Sequence, residues 1–363
     1  MDFTPHRLPA FGWSEFFENY FRPYLAQGYT AGRVALEHKQ LYRLYTEHGE
    51  LLADISGKLR HEAISRADLP AVGDWVVLRP RPEEGKATIH AVLPRRSKFA
   101  RKTAGERTEE QIVGANIDTV FLVMSLNQDF NLRRIERYLI VAWNSGASPA
   151  IVLSKADLCA DVAASVEGIQ DAAAGVPLHV VSVVTQEGLD ALTQYFRAGQ
   201  TVALLGSSGV GKSSLINHLL GCEQQKVQAV REDDDRGRHT TTHRELILLP
   251  QGGLVLDTPG MRELQLWDGQ EGVTRAFDEI EELASRCYFR NCQHQDEPQC
   301  AVREALEAGE LDPARYRNYD KLQRELHYLE IKQDKGAQIA EKKKWKKLTR
   351  MASKRSEMKR RGY

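Results

Sequence analysis

The stretch Gly206-Ser207-Ser208-Gly209-Val210-Gly211-Lys212-Ser213 constrains this chain more than any other. It fits the pattern G-x-x-x-x-G-K-[ST], and its flanks agree with it. Thr201-Val202-Ala203-Leu204-Leu205 reads as a short buried strand, and residues 214–220 open a helix with an apolar stripe. A strand that turns through glycines into a helix leaves a run of backbone N–H groups pointing at one place. An anion there gains both those donors and the positive end of the helix dipole. Lys212 is placed for the outer phosphates of a nucleotide, and the Ser213 hydroxyl for its magnesium ion. A Gly/Ser-rich turn that binds nothing would need neither strand nor helix.

The surrounding residues, 115–260, alternate buried strands with helical patterns. Strands are predicted at 119–124, 150–153, near 180–182 and at 201–205, with a helix over 132–142. A hairpin follows at 246–249 and 254–256, turned at Gly252-Gly253. This pattern implies a mainly parallel sheet of Ras-like α/β type, with the ligand crevice at the carboxyl ends of the strands. Two short segments then acquire roles. Ser154-Lys155-Ala156-Asp157 ends one strand and fits the second half of a guanine-reading N-K-x-D motif. Its aspartate can accept from the guanine N1 and N2 groups, its lysine stem can cover the base, and Ser in place of Asn removes one amide contact. Asp257-Thr258-Pro259-Gly260 ends another strand, with Asp257 as a magnesium-side acid and Gly260 offering its N–H to a γ-phosphate. Between them, Arg236-Gly237-Arg238-His239-Thr240-Thr241-Thr242 is a hydroxyl-rich segment of the kind that a γ-phosphate and magnesium can order. The base-reading segment precedes the phosphate loop, whereas the ordinary Ras-like order is the reverse, so the sheet is expected to be circularly permuted. Permutation sets the end of the switch region beside whatever follows residue 260.

In front lies a β-rich region. Short strands at 32–36, 41–45, 51–55, 73–78 and 87–93 suggest a small OB-type barrel, whose Arg60, Arg66, Arg79 and Arg81 are candidates for an RNA face. Residues 95–102 are a basic linker that can meet phosphates. Before the barrel, Phe16, Tyr20 and Tyr24 fall at helical spacing and predict an amphipathic helix packed on the body.

Behind the nucleotide region come Cys287, Cys292, His294 and Cys300, spaced as a closed tetrahedral zinc set with no position left for water. Five cysteines, three of them clustered, fit a reducing compartment, with Cys159 and Cys222 as small core residues. Helices are expected from about 301 to 335, and then the chain turns basic, with Trp345 set among lysines. Lys plus Arg and Asp plus Glu are 50 each, so net charge names no partner. No run of about 18 apolar residues predicts a membrane span, and the first residues lack a secretory signal pattern.

The permuted order of SKAD, GSSGVGKS, RGRHTTT and DTPG, with a barrel in front and CYFRNCQHQDEPQC behind, resembles the ribosome-small-subunit-dependent GTPase A (RsgA) family over residues 30–330. Glu110-Gln111-Ile112-Val113-Gly114-Ala115-Asn116-Ile117-Asp118 resembles that family's approach to its GTPase domain. The resemblance implies a cytoplasmic GTPase acting late in small-subunit maturation, binding rRNA, stimulated by the particle and expected to be a monomer. It implies that Gly206 to Ser214 hold phosphates and magnesium, that Ser154 to Asp157 read guanine, and that the three cysteines and His294 hold one structural zinc. The domains expected are a helical extension (1–29), the barrel (30–100), the permuted GTPase domain (101–265), a zinc-binding helical domain (266–335) and a basic tail (336–363).

Met261 stands after the D-x-x-G segment, where Ras has a water-orienting glutamine, so slow hydrolysis alone and acceleration by a partner are expected, with His239 a candidate for placing the water. Two other readings are a P-loop kinase or ATPase and an RNA-binding scaffold whose nucleotide site no longer hydrolyses. Competition of GTP with ATP separates the first, and turnover on small subunits the second.

Overall fold

A computed structural model describes residues 8–38, 41–102, 110–127, 130–221, 244–257 and 270–333. The switch segment with His239, the residues from Thr258 through Gly260 and Met261, Cys222, and the basic tail lie outside the described residues. The chain divides into two compact units, 1–265 and 266–363.

The first unit begins with helix α1 (Glu15–Leu25), which packs on barrel strands β1 (Thr30–His38) and β4 (Trp75–Arg81). The helix is present, but the packed stripe is one residue away from the expected one. Phe17 and Phe21 are buried, with Trp13 edge-on to Trp75 at 4.8 Å, whereas Tyr20 is 48% exposed. The helix carries aromatic residues on both sides, and the flat Trp75 surface selects which side goes in.

Strands β2 (Leu41–Thr46), β3 (Gly49–Ile55) and β5 (Lys86–Val92) complete the barrel. β1, β2 and β3 form an antiparallel meander, β3 pairs β5 in parallel, β5 pairs β4, and β4 returns to β1, so the sheet closes. Alternation in β3, Leu51, Ala53 and Ile55 in and Leu52 out, is what lets one face fill the interior with Val34, Leu44, Val76 and Ile89.

The basic linker is paired with acids of this chain. Arg95 forms a bidentate pair with fully buried Asp74 at 2.7 and 2.8 Å and donates to the carbonyls of Ala67 and Leu69. Arg96 pairs with Asp118, and Lys98 with Glu110. The segment continues as β6 (Lys98–Lys102), an antiparallel partner of β7 (Glu110–Ala115). Burial pushes the Asp74 carboxyl up against the pull of Arg95. Asp74→Ala leaves a largely buried guanidinium without its carboxylate and is expected to cost about 3–5 kcal/mol, read by denaturant unfolding of the full chain. A second buried cation, Arg33, donates to the carbonyls of Phe11, Gly73 and Asn116, so one side chain joins the start of the chain, the barrel and the approach to the nucleotide region.

The nucleotide region is a sheet in the order β10, β9, β8, β11, β13, β12, with β8 (Thr119–Ser125), β9 (Ser148–Ser154), β10 (Leu178–Val180), β11 (Thr201–Leu205), β12 (Glu245–Leu248) and β13 (Leu254–Asp257). All are parallel except β12, which is the hairpin partner of β13 and also meets β1 at Leu36↔Glu245. The chain runs outward from β8 to one edge, then returns to β11 beside β8 and runs to the other. That reversal between adjacent parallel strands opens a crevice at their carboxyl ends. Helices α3 (Leu132–Ser145), α4 (Val162–Ala172) and α5 (Lys212–Leu220) cover the sheet. α2 is the short helix Gly57–Glu62 beside the barrel.

The second unit contains α6 (Gln270–Ala276), α7 (Asp278–Ser285), α8 (Ala301–Ala308) and α9 (Pro313–Gln333). Val273, Phe277, Ile280, Val302 and Leu322 form its core. Arg315 of α9 lies over the Phe277 ring, pairs with Glu279 and donates to Ala276 O, and Tyr319 donates to Glu281.

Candidate nucleotide site and metal centre

Among the described residues, the phosphate loop, the segment after β9 and the segment after β10 are joined by hydrogen bonds. The phosphate loop leaves β11, whose five residues are all buried, and turns into α5. Two of its glycines are required by geometry. A Cβ at Gly206 would lie 2.3 Å from Val123 O, and Gly211 has φ +94°. Val210 is the loop's apolar anchor, buried with Leu215 and Ile216. The Lys212 ammonium bridges the loop's own carbonyls, Gly206 O at 2.8 Å and Ser207 O at 2.5 Å. Ser213 and Ser214 follow in the first turn of α5, half-buried.

The segment from Ser154 through Asp157 stands level with this loop, because Ser125 at the end of β8 is in register with Ser154 at the end of β9. Ser154 is buried, and its Oγ lies 2.5 Å from Val210 O and 3.2 Å from Met124 O. A hydroxyl has one proton, and the closer carbonyl takes it. Ser154 is thus a tether between the segment that ends β9 and the phosphate loop. Ser154→Ala strands the Val210 carbonyl and is expected to weaken nucleotide binding about tenfold through faster release, measured by stopped-flow dissociation of a fluorescent nucleotide.

Lys155 adopts φ +58°, a left-handed conformation that costs a lysine of order 1 kcal/mol and marks a position held for a reason. Ala156 N donates to Val181 O at 3.2 Å, which ties the segment to the exit of β10. Asp157 is exposed, and its Oδ1 accepts from Ser182 Oγ at 2.6 Å. Among the described residues Oδ2 has no protein partner. Ser182 is itself fully buried and accepts from Thr185 N. It fixes the carboxylate's orientation, and motif reading did not single it out. The available signal was a small hydroxyl residue just past the end of the edge strand whose loop borders the same crevice.

Asp257 ends β13, one strand from the phosphate-loop strand, and is half-buried. Cys159, expected in the core, instead closes a 3-10 turn at half exposure. Its neighbour Leu158 is 63% exposed, so this loop carries no core of its own.

In the second unit the four predicted metal ligands converge. The thiols of Cys287, Cys292 and Cys300 and a nitrogen of His294 all lie within 4.8 Å of one another. Cys287 Sγ lies 3.6 Å from His294 Nδ1 and 3.9 Å from Cys300 Sγ, and Nδ1 is 3.4 Å from Cys300 Sγ. A tetrahedron built on zinc–sulfur and zinc–nitrogen bond lengths has edges of about 3.8 Å between sulfurs and about 3.5 Å between sulfur and nitrogen. The donor set therefore fits zinc, with Nδ1 as the histidine ligand. Cys287 follows α7 and Cys300 caps the start of α8, so the cluster pins two helices. Glu297 accepts from the backbone N–H groups of Gln293 and Gln295, which pull its carboxyl down to about 2 and hold the loop closed behind the ligands.

The family model for the RsgA GTPase matches residues 92–267, from the end of the barrel through the nucleotide region. The small ribosomal subunit biogenesis GTPase RsgA of Opitutus terrae is 48% identical over 350 residues, 94% of this chain and 95% of that protein. The chain belongs to the RsgA GTPase family. The like-named protein of Methanosarcina acetivorans is 44% identical over 93% of this chain and 90% of its own length. A second model, for ABC transporters, matches residues 189–353, a span that shares the phosphate loop with the RsgA match. Among solved structures, YjeQ from Thermotoga maritima aligns with a TM-score of 0.62 at 30% identity, covering 82% of this chain and 98% of that one. YloQ, described as a circularly permuted GTPase, aligns with a TM-score of 0.59 at 27% identity over 82% of this chain and 95% of its own. That description agrees with the strand order seen here, in which the Ser154–Asp157 segment precedes the phosphate loop.

Proposed function

We propose that this protein binds and hydrolyses GTP as a maturation factor of the small ribosomal subunit, holding rRNA while the nucleotide is GTP. The observation that carries the reading is the crevice itself. Permutation brings the phosphate loop, the Ser154 tether and the Ser182-oriented Asp157 to one end of one sheet. The relatives' names, which join a GTPase to biogenesis of the small ribosomal subunit, support the cellular side.

In this reading the N–H groups of residues 207–213 and the Lys212 ammonium cradle the phosphates. Asp157 takes the guanine N1 and N2 hydrogens, which adenine lacks, and the Lys155 stem covers the base. Ser213 and Asp257 would hold the magnesium ion that arrives with GTP, which would supply charge neutralisation at the phosphates. Gly260 donates to the γ-phosphate. Met261 cannot orient water, so hydrolysis is slow until the subunit orders the switch segment, where His239 is our candidate for positioning the attacking water. Cys287, Cys292, His294 and Cys300 hold one zinc ion with a purely structural role. We place the domain limits at residues 29, 100, 265 and 335, with the barrel and the basic tail as rRNA contacts, the protein cytoplasmic and monomeric. Multiple-turnover GTP hydrolysis with and without purified small subunits tests the proposal. Turnover that the subunits leave unchanged contradicts the coupling, and equal use of ATP contradicts the guanine site.

A further inference from the structure

The first turn of α3 places Arg134 against the phosphate loop. Its Nη1 donates to Ser207 Oγ at 2.7 Å, across 73 residues of sequence. The carbonyl of the same Ser207 accepts from Lys212 at 2.5 Å. One residue of the loop therefore sits between two cations, one on its side chain and one on its peptide. Gly206 is wedged against Val123 at one end and Val210 is buried at the other, while Ser208 and Gly209 between them are exposed. The arginine is itself held, because Asn131 caps α3 by accepting from Arg134 N at 3.3 Å.

We propose that Arg134 is a positioning residue for the nucleotide. It fixes the ascending arm of the phosphate loop and, through the Ser207 peptide, sets where Lys212 stands before a phosphate arrives. The inference rests on the reading of the crevice as a GTP site. Its physical basis is that a loop cradles phosphates well only if its N–H groups are already aimed, and an arm free to move loses that alignment on each release. A charged donor on a hydroxyl is a stronger restraint than a neutral one. Because the arm cradles phosphates that GTP and GDP share, both nucleotides depend on it equally.

The test is a double-variant cycle on the zinc-loaded full chain, with fluorescent GTP and GDP as probes. Arg134→Ala and Ser207→Ala are each expected to weaken both nucleotides about tenfold, mainly through faster dissociation, as befits a hydrogen bond to a charged group. The double variant is expected to be no weaker than the weaker single one, since both changes remove the same bond. Arg134→Lys recovers part of the loss, and the nucleotide-free melting temperature stays within a few degrees of the parent's. Ser207→Ala is a small change in a loop and keeps the cycle readable should Arg134→Ala fold poorly. Unchanged affinity in either single variant, or losses that multiply in the double one, overturns the positioning role while the nucleotide reading stands. Wild-type protein that binds neither probe overturns both.

Discussion

Asp157→Asn is expected to lower GTP affinity by roughly 100-fold or more and to move preference toward xanthine nucleotides. A carboxylate at neutral pH is an acceptor at both oxygens, and guanine presents two donors, N1–H and the N2 amine. Each hydrogen bond to a charged group is worth about 1.5–3 kcal/mol, and the substitution turns one acceptor into a donor facing a donor. The geometry says which one. Ser182 donates to Oδ1 at 2.6 Å, so an asparagine keeps its carbonyl oxygen there and turns its amide nitrogen to the position of Oδ2. That nitrogen clashes electrostatically with the guanine amine and suits the 2-oxo group of xanthine. Competition among GTP, XTP and ATP measures the switch. GTP affinity within about threefold of the parent's would show that Asp157 does not read the base.

The second large effect concerns the metal. Cys292→Ser is expected to lower zinc affinity by more than about 100-fold, since even partners one shell further out are worth about 10–100-fold. Between α7 and α8 the chain has turns but no ladder, and the ligands are what joins its ends, so loss of zinc is expected to release the 286–300 segment. Amide exchange there should rise to the level of an unprotected loop, while the core around Phe277 and Val302 keeps its protection. The pH dependence has a definite sign. Burial pushes the Cys300 thiol up to about 11 and the His294 imidazole down, so without metal the thiol is protonated at neutral pH. Zinc must displace that proton, and affinity should rise with pH across the neutral range. Zinc content by elemental analysis, with affinity by chelator competition at several pH values, checks both. One zinc per chain in the parent and full retention in Cys292→Ser would contradict a four-ligand site.

The parts of the site legible in the sequence are those whose chemistry needs fixed residue types at short spacing. The phosphate loop and the Cys/His set have that property, and the permuted order of short motifs was legible because order needs no distances. Ser182 escaped motif reading because its partner is 25 residues away and a lone serine carries no signal. Arg134 escaped for the same reason over 73 residues. The pairing of the linker was not legible because its acids, Asp74, Glu110 and Asp118, lie outside the linker in sequence. The buried stripe of α1 lies one residue from the expected one because periodicity identifies a helix with two aromatic sides but not which side finds Trp75. In each case the missing information is tertiary pairing.

The measurement that reaches the central claim most directly is GTP turnover by the full chain, titrated with purified small ribosomal subunits against an equal series with ATP. Little turnover alone, a rise that saturates with subunit concentration, and none of this with ATP are expected. Turnover of ATP at a comparable rate, or GTP hydrolysis that takes no notice of the subunits, would contradict that claim.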